Sequence, residues 1–255
     1  KFDVVAGESV EVAQQHVDDL IADIRARKTK PGPMRGGNDA FLFLMSDTQV
    51  GKAENGLGTE DTIARYIDTV DQAVQRVKDL RAIGHKMPHG VIVGLGDIVE
   101  SCTNFYSNQI FTVDRNQRDQ NKIARELIYY TIDAFLPLFD RLTVASVAGN
   151  HGENRNDGKM VTDEADNADI ACFEAVKEAY DRTNNYSIEW IIPQHELSIA
   201  LQMGGVSVGF THGHIFRKGS TIQQKAVEWF RGQVFGGGAV KDAKILISGH
   251  FHHFL

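Results

Sequence analysis

Apolar positions in this chain follow two alternating rhythms. Residues 9 to 27 place Val10, Ala13, Val17, Leu20, Ile21 and Ile24 at steps of three and four, which predicts an amphipathic helix. The stretch KTKPGPMRGGND, residues 28 to 39, then stops any regular element with its prolines and glycines. The chain therefore divides into an N-terminal helical extension with a basic linker, residues 1 to 39, and a main domain, residues 40 to 255. In the main domain, short apolar runs near 41–46, 91–95 and 142–148 interleave with helical patterns near 60–83, 117–136 and 164–182. Ile63, Ile67, Val70, Val74, Val77 and Leu80 share one face of the first of these helices, with Thr59 as its expected N-cap. Strands that alternate with helices need crossover connections and predict a mainly parallel sheet, whose sites gather at the carboxyl ends of the strands.

After residue 185 the pattern becomes strand-rich: YSIEWI, LSIALQM, then VSVGFT. Gly204 and Gly205 between the last two predict a hairpin, because both can take a positive φ. A further helix is expected near 219 to 231, ahead of KILIS. The strand-like pattern still runs at Leu255, so the native chain is expected to continue.

The residues just past the strands carry the chemistry. Five apolar runs each end in metal-binding residue types. Ser46-Asp47-Thr48-Gln49 comes after AFLFLM, Gly96-Asp97 after VIVGL and Gly149-Asn150-His151 after LTVASVA. His212 comes after VSVGFT, and Gly249-His250-Phe251-His252 after KILIS. Strands that end together deliver these groups to one place. Carboxylate, amide and imidazole ligands suit Mn²⁺, Fe²⁺, Co²⁺ or Zn²⁺, whereas calcium and magnesium prefer oxygen alone. The inventory exceeds the needs of a single four-coordinate ion, so two ions are expected. A pair roughly 3.5 to 4 Å apart can hold the attacking and leaving oxygens of a displacement at phosphorus and acidify a water between them. No GxSxG nucleophile motif is present, which leaves metal-bound hydroxide as the expected attacker.

Composition narrows the picture. At 255 residues and 42% hydrophobic content the chain can bury a sizeable core. Its longest apolar runs fall far short of the roughly 20 residues that cross a bilayer, so no membrane span is expected. Cys102 and Cys172 fit no CxxC spacing, which points to a reducing, cytoplasmic location. A net charge of −7 argues against a broad basic nucleic-acid footprint, although bound divalent cations would reverse the sign locally.

The five motifs, in order over residues 41 to 252, resemble the calcineurin-like metallophosphoesterase superfamily and, more loosely, its DNA repair exonuclease branch. Its pattern is DxH, GDxx, GNH followed by an acid, a lone His, then GHxH. The resemblance implies an α/β fold, a two-sheet β-sandwich flanked by helices. It also implies that Asp47 and His252 bind a first metal, that Asp97 bridges, and that Asn150, His212 and His250 bind a second. His151 would stabilise or protonate the leaving oxygen. Mn²⁺ is the expected metal, with Fe²⁺, Zn²⁺ and Co²⁺ as alternatives.

Two positions depart from the family pattern. Gln49 stands where the first motif has His, as a weaker amide ligand or as a hydrogen-bonding neighbour of the ligands. Glu153 comes one residue late after His151, displaced by Gly152, so the acid that orients the imidazole is in question. His214 and His253 are expected to support ligands or face solvent, and His16, His85, His89 and His195 to face solvent.

The favoured function is a phosphodiesterase or nuclease acting on DNA or RNA. It is motivated by the basic residues Arg25, Arg27, Lys28, Lys30 and Arg35, by Arg155, Lys159, Arg217 and Lys218, and by an insertion bearing Asn104, Phe105, Tyr106, Phe111, Arg115 and Arg118. The alternatives are a hydrolase of small phosphoesters or nucleotides, or a catalytically inert interaction scaffold. The oligomeric state is not legible.

Overall fold

A computed structural model describes residues 37–102, 106, 108–156, 158–183 and 188–252, together with Ala22. The expected N-terminal helix, the basic stretch, His16, Asn104, Phe105 and His253 otherwise lie outside the described residues. In chain order the elements are β1 (Ala40–Met45), α1 (Thr59–Ala82), β2 (His89–Gly94), α2 (Gln117–Phe135), β3 (Arg141–Ser146), β4 (Arg155–Asn156), β5 (Lys159–Met160), α3 (Ala168–Thr183), β6 (Ile188–Ile191), β7 (Ser198–Met203), β8 (Val206–Thr211), α4 (Ile222–Gly236) and β9 (Ile245–Ser248).

The expected parallel sheet is present, with strand order β1-β2-β3-β6 and every pair parallel. A second sheet holds β7, β8 and β9, with β7 and β8 antiparallel and β9 parallel to β8. Gly204 and Gly205 turn the β7–β8 hairpin at φ of 55° and 78°, as their sequence predicts. Period-two alternation sorts the side chains of the parallel sheet into two layers. Phe43, Ile92, Leu142 and Val144 join a core with Ile63, Val70, Leu127, Phe135 and Phe173 from the helices. Val91, Val93 and Ala145 point the other way and pack against Ile199, Leu201, Val208 and Phe210 of the second sheet. The sheets thus share one apolar layer, and β2 is buried along its whole length because it serves both. Each such valine or isoleucine contributes roughly 1.5–3 kcal/mol by leaving water.

Two helix starts differ from expectation for local reasons. Thr59 is the first residue of α1 and not its cap. Its amide donates to Asp114 at 2.9 Å, while Asp61 accepts from the N–H of Gly58, so distant and local carboxylates satisfy the helix end. Helix α3 begins at Ala168, later than the pattern suggests, because Asp163 and Asn167 accept nearby backbone N–H groups and hold a turn there. His89 is also a correction. It is buried at the start of β2, where it bonds Thr143 at 2.8 Å and Arg141 at 2.8 Å instead of facing solvent. His85 and His195 are exposed.

Helix α4 has no buried residue, and β9 is only half covered. Between them runs an apolar trough lined by Leu44, Phe216, Phe230, Leu246 and Phe251, which ends at Asp47 and His252. No helix among the described residues is long and apolar enough to cross a membrane.

Candidate metal centre

Strand register is what gathers the predicted residues. Met45, Gly94 and Ser146 lie side by side across β1, β2 and β3, so Asp47, Asp97 and Asn150 emerge together just past the sheet edge. Thr211 pairs with Ser248, so His212 and His250 emerge together from the second sheet. The loops then come into contact. Asp47 N–H donates to Gly96 O at 3.2 Å, and Gln49 N–H donates to Asp97 O at 2.9 Å. A side chain at Gly149 would put its Cβ 2.1 Å from the Asp97 amide, and one at Gly249 would meet Asp47 Oδ2 at 2.6 Å. At Gly149 the atom met is backbone, so only glycine permits that approach, whereas at Gly249 a larger residue would displace the Asp47 side chain.

Ligand atoms of Asp97, His212 and His250 all fall within 4.8 Å of one another. His212 Nε2 is 2.9 Å from Asp97 Oδ2 and 3.1 Å from Asn150 Oδ1. Its other nitrogen lies 2.6 Å from the Leu95 carbonyl, which can only accept, so Nδ1 carries a hydrogen there. Nε2 therefore meets two acceptor oxygens, an arrangement completed by a positive charge: a second proton on the ring or a bound cation. The donor set of one carboxylate, one amide oxygen and two imidazoles fits a first-row divalent ion. On the open side, Asp47 accepts from the His250 amide at 3.1 Å on both oxygens, and His252 Nε2 lies 3.1 Å from Asp47 Oδ1.

No family model matches the chain, and no curated protein matches it.

Backbone strain marks the same place. Asp47, Gln49, Asp97, His250 and His252 all hold left-handed φ values between 44° and 71°. Such angles are uncommon outside glycine and cluster where surrounding structure imposes them. Asp169 is one source of that constraint. This fully buried residue of α3 accepts the N–H groups of Asp97 at 2.8 Å, Ile98 at 2.9 Å, Val99 at 3.2 Å and Gly149 at 3.2 Å. Burial and the charge of Asp97 push its carboxyl up to about 6, against the pull of those backbone bonds.

His151 lies at the edge of the cluster, its Nε2 3.9 Å from Asp97 Oδ2. Glu100, and not Glu153, is the acid that faces it: His151 Nδ1 is 3.1 Å from Glu100 Oε2 and 3.2 Å from the Glu100 carbonyl. Tyr106 donates to the same carboxylate at 2.6 Å. Glu153 is turned aside to Arg155, at 2.6 Å, and to His214 Nε2, at 3.5 Å. Gln49 Oε1 accepts from Lys52 at 3.2 Å, and its amide nitrogen faces His151 Nε2 at 3.5 Å.

The charges interlock. Burial raises the pKa of Asp97, but bonds and charge from His212 and His151 outweigh it and hold the carboxyl below its ordinary range. Burial lowers the pKa of His212, and the contact with Asp97 overcomes this and raises it. His214 is pushed down to about 3, first by burial and then by His212, which leaves it a neutral ring 5.4 Å from His212 between centroids. Glu100, Lys52, Asn167 and Asp169 carried no strand-end signal. Only the spacing of Glu100, three residues after Asp97, could have pointed to one of them.

Proposed function

We propose that this chain is a divalent-metal-dependent phosphoesterase of the calcineurin-like metallophosphoesterase type, and within that a phosphodiesterase of DNA or RNA. The reading is carried by the meeting of Asp97, His212 and His250 from strand ends far apart in sequence. Two facing sheets with helices outside them support the matching fold. The proposal includes two ions, Mn²⁺ first and Fe²⁺, Zn²⁺ or Co²⁺ otherwise. Asn150, His212 and His250 would hold one, Asp47 and His252 the other, with Asp97 between. When bound, such ions supply Lewis acidity toward phosphoryl oxygens and acidify the attacking water.

The chain's own groups do the rest. Asp97 fixes the two halves of the centre to each other through the His151 amide, at 2.8 Å, and His212. Glu100 holds the Nδ1 side of His151, so a proton at Nε2 is the one we assign to the leaving oxygen. Burial resists charge on that ring, but Glu100 and Asp97 raise its pKa above the ordinary histidine value, which favours the acid form. Exposed Phe111, Arg118, Arg217 and Lys218 support contact with an extended polyanion. A cavity of about 550 Å³, lined by Ser101, Gln117, Asn121, Gly152, Glu153 and Asn167 and by none of the candidate ligands, has room for a small nucleotide, the second reading. Cys102 and Cys172 are both free, which supports a reducing compartment such as the cytoplasm.

The test is hydrolysis by Mn²⁺-loaded protein of single- and double-stranded DNA, bis-p-nitrophenyl phosphate, p-nitrophenyl phosphate and free nucleotides. Diester cleavage abolished by chelation is the expected result. Cleavage of monoesters alone removes the nuclease part, and failure to take up any metal removes the whole reading.

A further inference from the structure

The first motif offers Gln49 as a metal ligand, and its neighbours indicate another use. Lys52 Nζ lies 3.2 Å from Gln49 Oε1. An ammonium only donates, so the amide atom it meets is the oxygen, and the amide nitrogen is thereby turned toward His151 Nε2, 3.5 Å away. A metal ion on the same oxygen would stand beside a permanent positive charge and be repelled by it. Lys52 is also held in place by its backbone. Its N–H donates to Gln49 O at 2.9 Å, Ala53 N–H donates to Thr112 O at 2.7 Å, and Asp114 N–H donates to Gly51 O at 3.0 Å. Among the described residues the carboxylate that pairs with its ammonium, Glu54, is 3.8 Å away and well exposed, a loose pair that water weakens. Lys52, the Gln49 amide and His151 therefore form a row of three nitrogen groups along the edge of the carboxylate and imidazole cluster.

We propose that Lys52, held by Gln49, is a phosphate-recognition cation of this centre, and that Gln49 positions Lys52 and binds no ion. This rests on the phosphoesterase reading above. A phosphodiester carries its charge on non-bridging oxygens, and an ammonium on a fixed turn meets such an oxygen as a point charge with no strict angular demand. The row thus gives the open side of the centre a fixed positive charge where the family pattern has a histidine ligand.

Full-length wild type, Gln49→Ala, Lys52→Met and Lys52→Arg are compared in two measurements. One is Mn²⁺ content after equilibrium dialysis. The other is calorimetric affinity for inorganic phosphate, with and without Mn²⁺, at two salt concentrations. All variants are expected to keep the wild-type metal content. Lys52→Met is expected to bind phosphate roughly tenfold or more weakly, the value of one hydrogen bond to a charged group, with a shallower salt dependence, and Lys52→Arg to recover part of the loss. Loss of an ion from Gln49→Ala, or unchanged phosphate affinity in Lys52→Met, overturns the proposal. A wild type that takes up no Mn²⁺ defeats the metal-centre reading instead, and a loss of metal-free phosphate binding in Lys52→Met would still support Lys52.

Discussion

On one side of the candidate centre Asp97 and His212 keep 2% and 0% of their side-chain surface, while on the other Asp47 keeps 14% and His252 keeps 53%. The deep side is tied into the fold on several sides. Its carboxylate is already out of water, its imidazole is locked by the Leu95 carbonyl, and Asp169 ties the loop beneath it to α3. The open side has the same residue types but is held mainly by Asp47, with Gln49 engaged by a lysine. Similar chemistry at two depths should therefore bind with different strength, because desolvation magnifies every charge interaction on the deep side.

The contrast can be broken by mutation. Asp97→Asn is expected to have the largest effect, weakening ion binding by about 3–5 kcal/mol, the range for removing one partner from a buried charge cluster, as read by Mn²⁺ calorimetry. If Asp97→Asn keeps wild-type affinity and rate, the two sides do not share a bridging group. His151→Gln should lower diester turnover by roughly 10²–10⁴ at unchanged metal content, separating proton transfer from ion binding. Asp169→Ala would leave four backbone donors without their acceptor. A loss of about 3 kcal/mol in urea stability is expected, and an unchanged midpoint would show that the deep side is not organised through α3. His252→Ala should have the smallest effect, roughly tenfold or less in Mn²⁺ affinity. A loss equal to that of Asp97→Asn would erase the distinction between the sides.

The parts of this arrangement that were legible are those encoded locally. The unbroken apolar run VIVGL and the alternation in VSVGFT located strands, Gly204-Gly205 located a hairpin, and the residues just past each strand are those that register brings together. The supporting groups were not legible, because their meaning lies in distant partners. Asp169 reads as an ordinary first-turn acid until the fold lays the 97–99 backbone across it. Asp114 reads as a loop residue until α1 starts against it. His89 resembles a loop histidine beside Pro88, yet Thr143 and Arg141 on the neighbouring strand provide the partners that allow its burial. Glu153 was the nearest acid to His151 in sequence, but Gly152 redirects the chain and Glu100 lies closer in space.

Five loop residues twisted into left-handed conformations in one small volume store conformational energy that their mutual contacts must offset. If the centre holds a divalent ion as proposed, withdrawing it would leave that tension opposed by fewer bonds. Chelators in a purification buffer would then cost the molecule heat resistance as well as chemistry, and its melting temperature would serve as a gauge of ion content that needs no substrate.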